Sequence, residues 1–282
     1  MILLGISGGP DSMYLLYKYR NRNIVVAHIN YNLRPTSNYD ETIVRTFCAK
    51  HKIRCEVLTV KTKPHGNLQA WARKIRYDFF KKVAGQYNIK KLFIAHHKDD
   101  FVETALMQQR SGRMPKYFGI KQKKQLYGLK IKRPFLHKIW KREIKRFLHK
   151  KNLDYAVDDS NAKNIYTRNK IRNELNKVPF SEKRNYYEWF KMSNKILVKK
   201  HKKVDALFKK WSKTKFDTRF FSSQRFKHQL VFEFIHQNFK NVKLSKGKIE
   251  GLIAFIDSQE NNKLFKLNDN AVIWKKQYHL LV

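Results

Sequence analysis

The chain has 282 residues, 42% of them apolar, enough for one substantial core and a smaller second unit. Its 62 Lys and Arg against 22 Asp and Glu leave a formal net charge of +40. An A/T-rich coding bias would raise the acids together with the lysines, so their shortage points to a polyanionic partner, nucleic acid ahead of a membrane surface. No run approaches the ~18 apolar residues of a membrane span. The two cysteines, Cys48 and Cys55, are too few for a disulfide scaffold, and the expected compartment is the cytosol.

The apolar run 2–6 leads into Ser7-Gly8-Gly9-Pro10-Asp11-Ser12, and an apolar-patterned stretch starts at Met13. Strand, glycine turn and helix N-terminus in that order make a phosphate cradle. The glycines let backbone N–H groups approach an anion, and the helix start adds its positive dipole end. No Gly-Lys-Ser/Thr follows, so this is not the common nucleotide loop. A cleaved leader would remove the cradle, so none is expected. Further strands are predicted at 24–29, 55–60 and 92–95, with helices at about 11–20, 40–51 and 68–88. That alternation calls for a doubly wound parallel sheet with ligands at the carboxyl ends of its strands. Ser7, His28, residues 61–67 and His96 are then expected along one edge.

On the helix from Leu68, the apolar stripe includes Ile75, Phe79 and Val83, and Arg73 and Arg76 share another face suited to phosphate or carboxylate. After the strand at 92–95 comes His96-His97-Lys98-Asp99-Asp100-Phe101-Val102-Glu103-Thr104. Asp100 and Glu103 are three apart on a helix and share a face. They suit Mg²⁺ held against phosphates, or the ammonium group of an amine substrate. Helix capping by Asp99 or Asp100 is the plainer alternative, and a zinc site from His96, His97 and Asp100 lacks the usual spacing.

Three further segments follow: Arg133-Pro134-Phe135-Leu136, then Asp158-Asp159-Ser160-Asn161, then Tyr166-Thr167-Arg168-Asn169-Lys170-Ile171-Arg172. Arg168 and Arg172, four apart, are expected to face a phosphate or a nucleotide. Residues 139–151 and 181–212 read as basic helices, and 263–282 as a hairpin turning at Asn268-Asp269-Asn270. A boundary near 185–200 gives a first domain with a helical extension over 1–185 and a small basic region over 186–282 suited to nucleic acid.

The loop pattern S-G-G-x-D-S resembles that of the ATP pyrophosphatases, which cut ATP into AMP and pyrophosphate. Together with Asn67 to Tyr77, Ala95 to Thr104, Arg133 to Leu136, Asp158 to Asn161 and Arg168 to Arg172, it makes residues 1–178 resemble the tRNA(Ile)-lysidine synthetases. The resemblance implies an α/β fold: an N-terminal doubly wound parallel sheet (pyrophosphate-loop, Rossmann-like), a helical extension and a small C-terminal α+β domain. It implies ATP-dependent joining of free lysine to C2 of the wobble cytidine in the CAU anticodon of tRNA(Ile), through an adenylated tRNA.

In that chemistry Ser7, Gly8, Gly9, Pro10, Asp11 and Ser12 hold the ATP phosphates, with Mg²⁺ on Asp11 and Asp100. Asp100 and Glu103 bind the lysine ammonium, His96 or His97 sits near the cytidine, and Arg73, Arg110 and Arg168 offset phosphate charge. Two departures stand out: Arg110-Ser111-Gly112-Arg113 where the family reads R-G-S-G, and a short C-terminal region. The rival readings are a tRNA thiolase, for which Cys48 and Cys55 stand away from the motifs, a small-molecule synthetase with the same loop, and an RNA-binding protein with a decayed ATP site.

Overall fold

The computed structural model describes residues 1–33, 35–62, 66–112, 115–156, 167–239, 242 and 244–282. The four runs expected as strands supply β1 (Ile2–Ile6), β2 (Ile24–Asn30), β3 (Arg54–Thr59) and β4 (Lys91–Phe93). A hairpin absent from the sequence reading, β5 (Lys123–Leu126) with β6 (Leu129–Lys132), completes a sheet in the order β3-β2-β1-β4-β6-β5. All neighbours are parallel except the edge pair β5 and β6.

Strands covered on both faces need apolar side chains on both, which is why β1 and β2 read as continuous apolar runs. Leu4, Ile6 and Val26 pack with Leu15 and Leu16 of α1 (Pro10–Tyr19) and with Val44 and Phe47 of α2 (Ser37–Lys50). The alternate residues Leu3, Val25 and Ala27 pack with Phe80 and Val83 of α3 (Leu68–Gln86). The regular spacing of strand and helix therefore has one cause: each sheet face is closed by helices that cross between parallel strands.

The helical extension comprises α4 (Lys98–Arg110), α5 (Lys141–Lys150), α6 (Thr167–Lys177) and the first part of α7 (Phe180–Lys213). Phe101, Val102 and Leu106 of α4 bury against Trp140, Ile171, Leu175, Tyr187 and Phe190. This core ties α6 and α7 to the helix that begins at the sheet's carboxyl edge.

The chain divides into two compact units, Met1–Asn194 and Lys195–Val282, with the division inside α7. The second unit adds α8 (Thr218–Ser222), α9 (Lys227–Asn238), α10 (Lys246–Asp257) and an antiparallel sheet of β7 (Lys263–Asn268), β8 (Ala271–Lys276) and β9 (His279–Leu281). The hairpin turns at Asp269 and Asn270, and a third strand joins it. Its core is aromatic and aliphatic around Trp211, Phe221, Leu230, Phe234 and Ile273. Among the described residues no helix is long and apolar enough to cross a membrane.

Candidate active site

The chain leaves β1 at Ile6 and enters α1 at Pro10, at the edge where strand order reverses between β1 and β4. That reversal opens a crevice at the carboxyl ends of the strands. Gly8 has φ +86°, and a Cβ there would lie 3.0 Å from the Asp40 carbonyl oxygen, so conformation and space both demand glycine. Gly9 caps α1, Pro10 occupies its first turn, and Asp11 is the acid of that turn.

Ser12 braces the loop from within. Its Oγ donates to the Gly9 carbonyl at 2.9 Å and accepts from the Ser7 N–H at 3.2 Å, with the Ser7 Oγ at 3.3 Å. From below, the Ala156 N–H donates to the Gly8 carbonyl at 2.9 Å. The turn is thus ordered by its own groups. His28, expected at this edge, lies beneath it: it is buried, with Nδ1 3.0 Å from the Ile6 carbonyl oxygen.

Helix α4 starts beside this loop. His97 is its N-cap, and its N–H donates to Asp100 Oδ2 at 3.0 Å, so Asp100 does cap the helix. The same carboxylate also serves the His97 ring. That ring is buried, with Nε2 3.3 Å from Asp11 Oδ2 and 3.4 Å from Asp100 Oδ2, and Nδ1 3.4 Å from Asp99 Oδ2. Burial opposes charge on the imidazole, but Asp100, Asp11 and Asp99 outweigh it and raise the pKa to about 10. His97 is an imidazolium that ties the phosphate-loop helix to α4. Burial alone would raise the Asp100 pKa, yet His97, His96 and Arg168 hold it far below the usual carboxylate range.

The neighbouring His96 has the opposite character. Burial dominates and lowers its pKa to about 4, despite the nearby Asp100. Arg133 Nε donates to His96 Nδ1 at 3.0 Å. An arginine can only donate, so Nδ1 is the acceptor and the ring's proton sits on Nε2. Adjacent histidines are thereby fixed as one cation and one neutral donor.

A cleft of about 1000 Å³ joins these groups. Ser7, Asp11 and Ser12 line it from the loop, and His96, Asp100 and Thr104 from α4 and the segment before it. Arg73 and Arg76 line it from α3, and Arg168 from α6. Arg76 Nε donates to the Tyr31 hydroxyl at 3.1 Å, which in turn donates to the Ala72 carbonyl at 2.9 Å. Arg73 lies over the Tyr77 ring, 4.8 Å from its centroid. Asn67 begins this helix as its cap, accepting from the Ala70 N–H at 3.1 Å.

Three expected site residues take other places. Glu103 does not line the cleft; its buried carboxylate accepts from Arg168 Nε at 2.9 Å and from Arg172 Nε and Nη2 at 2.8 and 3.0 Å. It borders a separate cavity of about 250 Å³ with Lys141, Arg142, Lys145 and Lys183. Arg172, expected to face a phosphate, is one of the two arginines gripping Glu103. Arg168 spans both acids, with Nη2 2.9 Å from Asp100 Oδ1. Arg110 stands at the far end of α4 in an exposed pair with Glu174 at 2.6 Å, outside the cleft. The motif at 158–161 lies outside the described residues.

Sequence reasoning missed the tasks of Arg133 and Tyr31, and missed the lysines Lys121, Lys123 and Lys124 that line the cleft. The β5 strand Lys-Lys-Gln-Leu carries no apolar pattern that would have announced it. Asp11 Oδ1 is buried with no hydrogen-bond partner among the described residues. One open carboxylate oxygen beside a phosphate loop suits Mg²⁺, which is held mostly by substrate oxygens and water. Both Asp100 oxygens are engaged by Arg168 and His97, so Asp11 is the better donor. Cys48 and Cys55 lie on α2 and β3, and neither lines the cleft.

A parallel sheet with a glycine-turn anion cradle at its switch point defines an ATP-handling class, and residues 1–178 match the family model described as PP-loop domain. The curated relatives narrow that class. The tRNA(Ile)-lysidine synthase of Mycoplasmopsis pulmonis is 44% identical over 98% of this chain and 96% of its own length. That of Mesomycoplasma hyopneumoniae is 37% identical over 99% and 94%. The chain belongs to the tRNA(Ile)-lysidine synthase family. Among solved structures, the U34-tRNA thiolase NcsA from Methanococcus maripaludis, with its 4Fe-4S cluster, aligns with TM-score 0.56 at 16% identity, over 69% of this chain and 72% of that one. At that identity the likeness shows the fold.

Proposed function

We propose that the cleft carries out both halves of an ATP-dependent ligation: adenylation of the wobble cytidine of tRNA(Ile) bearing the CAU anticodon, then attack by lysine to form lysidine. The first half joins the cytidine C2 oxygen to the α-phosphorus of ATP and releases pyrophosphate. Loop 7–12 and the N-terminus of α1 hold the departing phosphates, and Asp11 would hold Mg²⁺. Bound there, Mg²⁺ would offset phosphate charge. Arg73, Arg76 and Arg168 supply further positive charge around the same space.

In the second half the attacking lysine amine, having given up its proton to water, forms the C2–N bond, and AMP departs with the former C2 oxygen. Asp100 stays anionic at neutral pH, so it positions the ammonium group and is too weak a base to deprotonate it. His96 offers an N–H without positive charge. Glu103, which the resemblance assigns to the lysine ammonium, acts instead by holding Arg168 and Arg172 in place. The unit Lys195–Val282 is the proposed tRNA grip, consistent with a chain of net charge +40.

One observation carries this reading: the phosphate loop and the arginine-flanked Asp100 line a single cleft in a chain of this family. Incubation with ATP, Mg²⁺, labelled lysine and tRNA(Ile) bearing CAU tests it. Label is expected in the tRNA only when ATP is present, and pyrophosphate release should depend on tRNA. Folded protein that binds tRNA yet releases no pyrophosphate favours the decayed-site reading and overturns this one.

A further inference from the structure

An exposed tryptophan backs onto the wall of the cleft and has no part in the chemistry above. Trp189 lies on α7 in the first unit with 51% of its surface exposed, one helical turn from Met192 at 66%. Covering that apolar surface with a partner would be favourable. The indole is nevertheless held firmly. It meets Phe190 edge-on, 4.8 Å between centroids, and lies 6.0 Å from Phe118.

Phe118 belongs to the cleft wall. Its neighbours Tyr117, Gly119, Ile120 and Lys121 line the cleft, while Phe118 packs on Trp189 and Phe190. The wall is pinned along its length. Asn194 accepts from the Phe118 N–H at 2.7 Å and donates to its carbonyl at 3.0 Å. The Gly119 N–H donates to Gln108 Oε1 at 2.6 Å, and Arg133 Nη1 donates to the Lys121 carbonyl at 2.8 Å. Gly119 has φ +74°, and a Cβ there would fall 2.5 Å from the Phe101 ring, so the wall passes close against α4.

A rigid aromatic platform beside a cleft lined by Lys121, Lys123 and Lys124 fits a single-stranded nucleic acid, whose bases stack and whose phosphates pair with lysine. A base that enters the cleft must leave its own stack, and its neighbours then lose a stacking face. We propose that Trp189 stacks on the unpaired nucleobase flanking the base that enters the cleft. This rests on the reading of the cleft as the place where an RNA base is modified.

The test uses the full chain, an anticodon stem-loop RNA, and Trp189→Ala and Trp189→Phe variants. 2-Aminopurine is placed at either flank of the reacting cytidine, and binding is read without ATP or lysine. Wild type is expected to quench the probe at one flank, Trp189→Phe to keep most of the quenching, and Trp189→Ala to lose it. In turnover, Trp189→Ala should raise KM for RNA by at least about fivefold and leave kcat within about twofold. Removing the base at that flank should weaken wild type by the same factor and Trp189→Ala no further. RNA bound to wild type without quenching at either flank overturns the proposal, as does a Trp189→Ala protein with unaltered quenching. Failed lysine transfer by wild type would count against the cleft reading alone, because quenching needs no catalysis.

Discussion

The two units bury their polar groups to different ends. In Met1–Asn194, His28, His97, Glu103 and Arg133 are buried around the carboxyl edge of the sheet, and the last three hold cleft-lining groups: His97 pairs with Asp11 and Asp100, Glu103 with Arg168, and Arg133 with His96. In Lys195–Val282 the buried Lys275 amine donates to the carbonyls of Phe255 and Ile256, at 3.3 and 3.1 Å, and to that of Ser258. These are carbonyls at the end of α10, which have no partner within the helix. The first arrangement aims charge at a cleft, and the second closes a helix. Buried charge is tolerated in both because each group has its counter-charge or hydrogen bonds.

Substitutions should therefore divide by unit. The largest effect is expected from Asp11→Ala, which removes the open carboxylate beside the phosphate loop and a counter-charge of His97. tRNA-dependent pyrophosphate release should fall at least about 10³-fold. Glu103→Gln leaves Arg168 and Arg172 facing a neutral amide. Breaking a buried pair on one side costs about 3–5 kcal/mol, so denaturant unfolding should show that loss together with reduced lysine transfer.

Trp211→Ala should cost a similar amount, about 3–5 kcal/mol, by emptying the centre of the second core. Here tRNA affinity is expected to fall while ATP binding persists. Equal loss of ATP binding would erase the distinction between the units.

A smaller effect is expected from His28. Burial lowers its pKa from 6.5, outweighing Glu41 and Asp40, which favour the charged ring, while Arg45 opposes it. The folded state prefers the neutral ring, so its contribution is full above pH 6.5 and is lost as pH falls through the folded pKa. His28→Gln should flatten that acid limb of the stability profile. Least of all, Arg110→Ala should change stability by no more than about 0.5 kcal/mol and leave lysine transfer unaltered, because its pair with Glu174 is exposed.

The parts legible in the sequence are those whose physics is local. Loop 7–12 combines its glycines, proline and acid within a few residues, and β1 and β2 announce themselves as unbroken apolar runs. The role of Glu103 was hidden because its partners Arg168 and Arg172 lie 65 and 69 residues further on, and only the packing of α6 on α4 joins them. The identical type and nearness of His96 and His97 likewise concealed their difference. It arises from burial of His96, whose Nδ1 accepts from Arg133 37 residues further on, and from three carboxylates around His97. The hairpin β5–β6 escaped because an edge strand needs no apolar face on its outer side.

The central claim is that one cleft performs both half-reactions, with Asp100 anchoring the amine. Its most direct test is the lysine dependence of transfer by Asp100→Asn at saturating ATP and tRNA. The account predicts a rise in KM for lysine of at least about tenfold, with tRNA-dependent pyrophosphate release in the absence of lysine retained. An unchanged KM for lysine would contradict it.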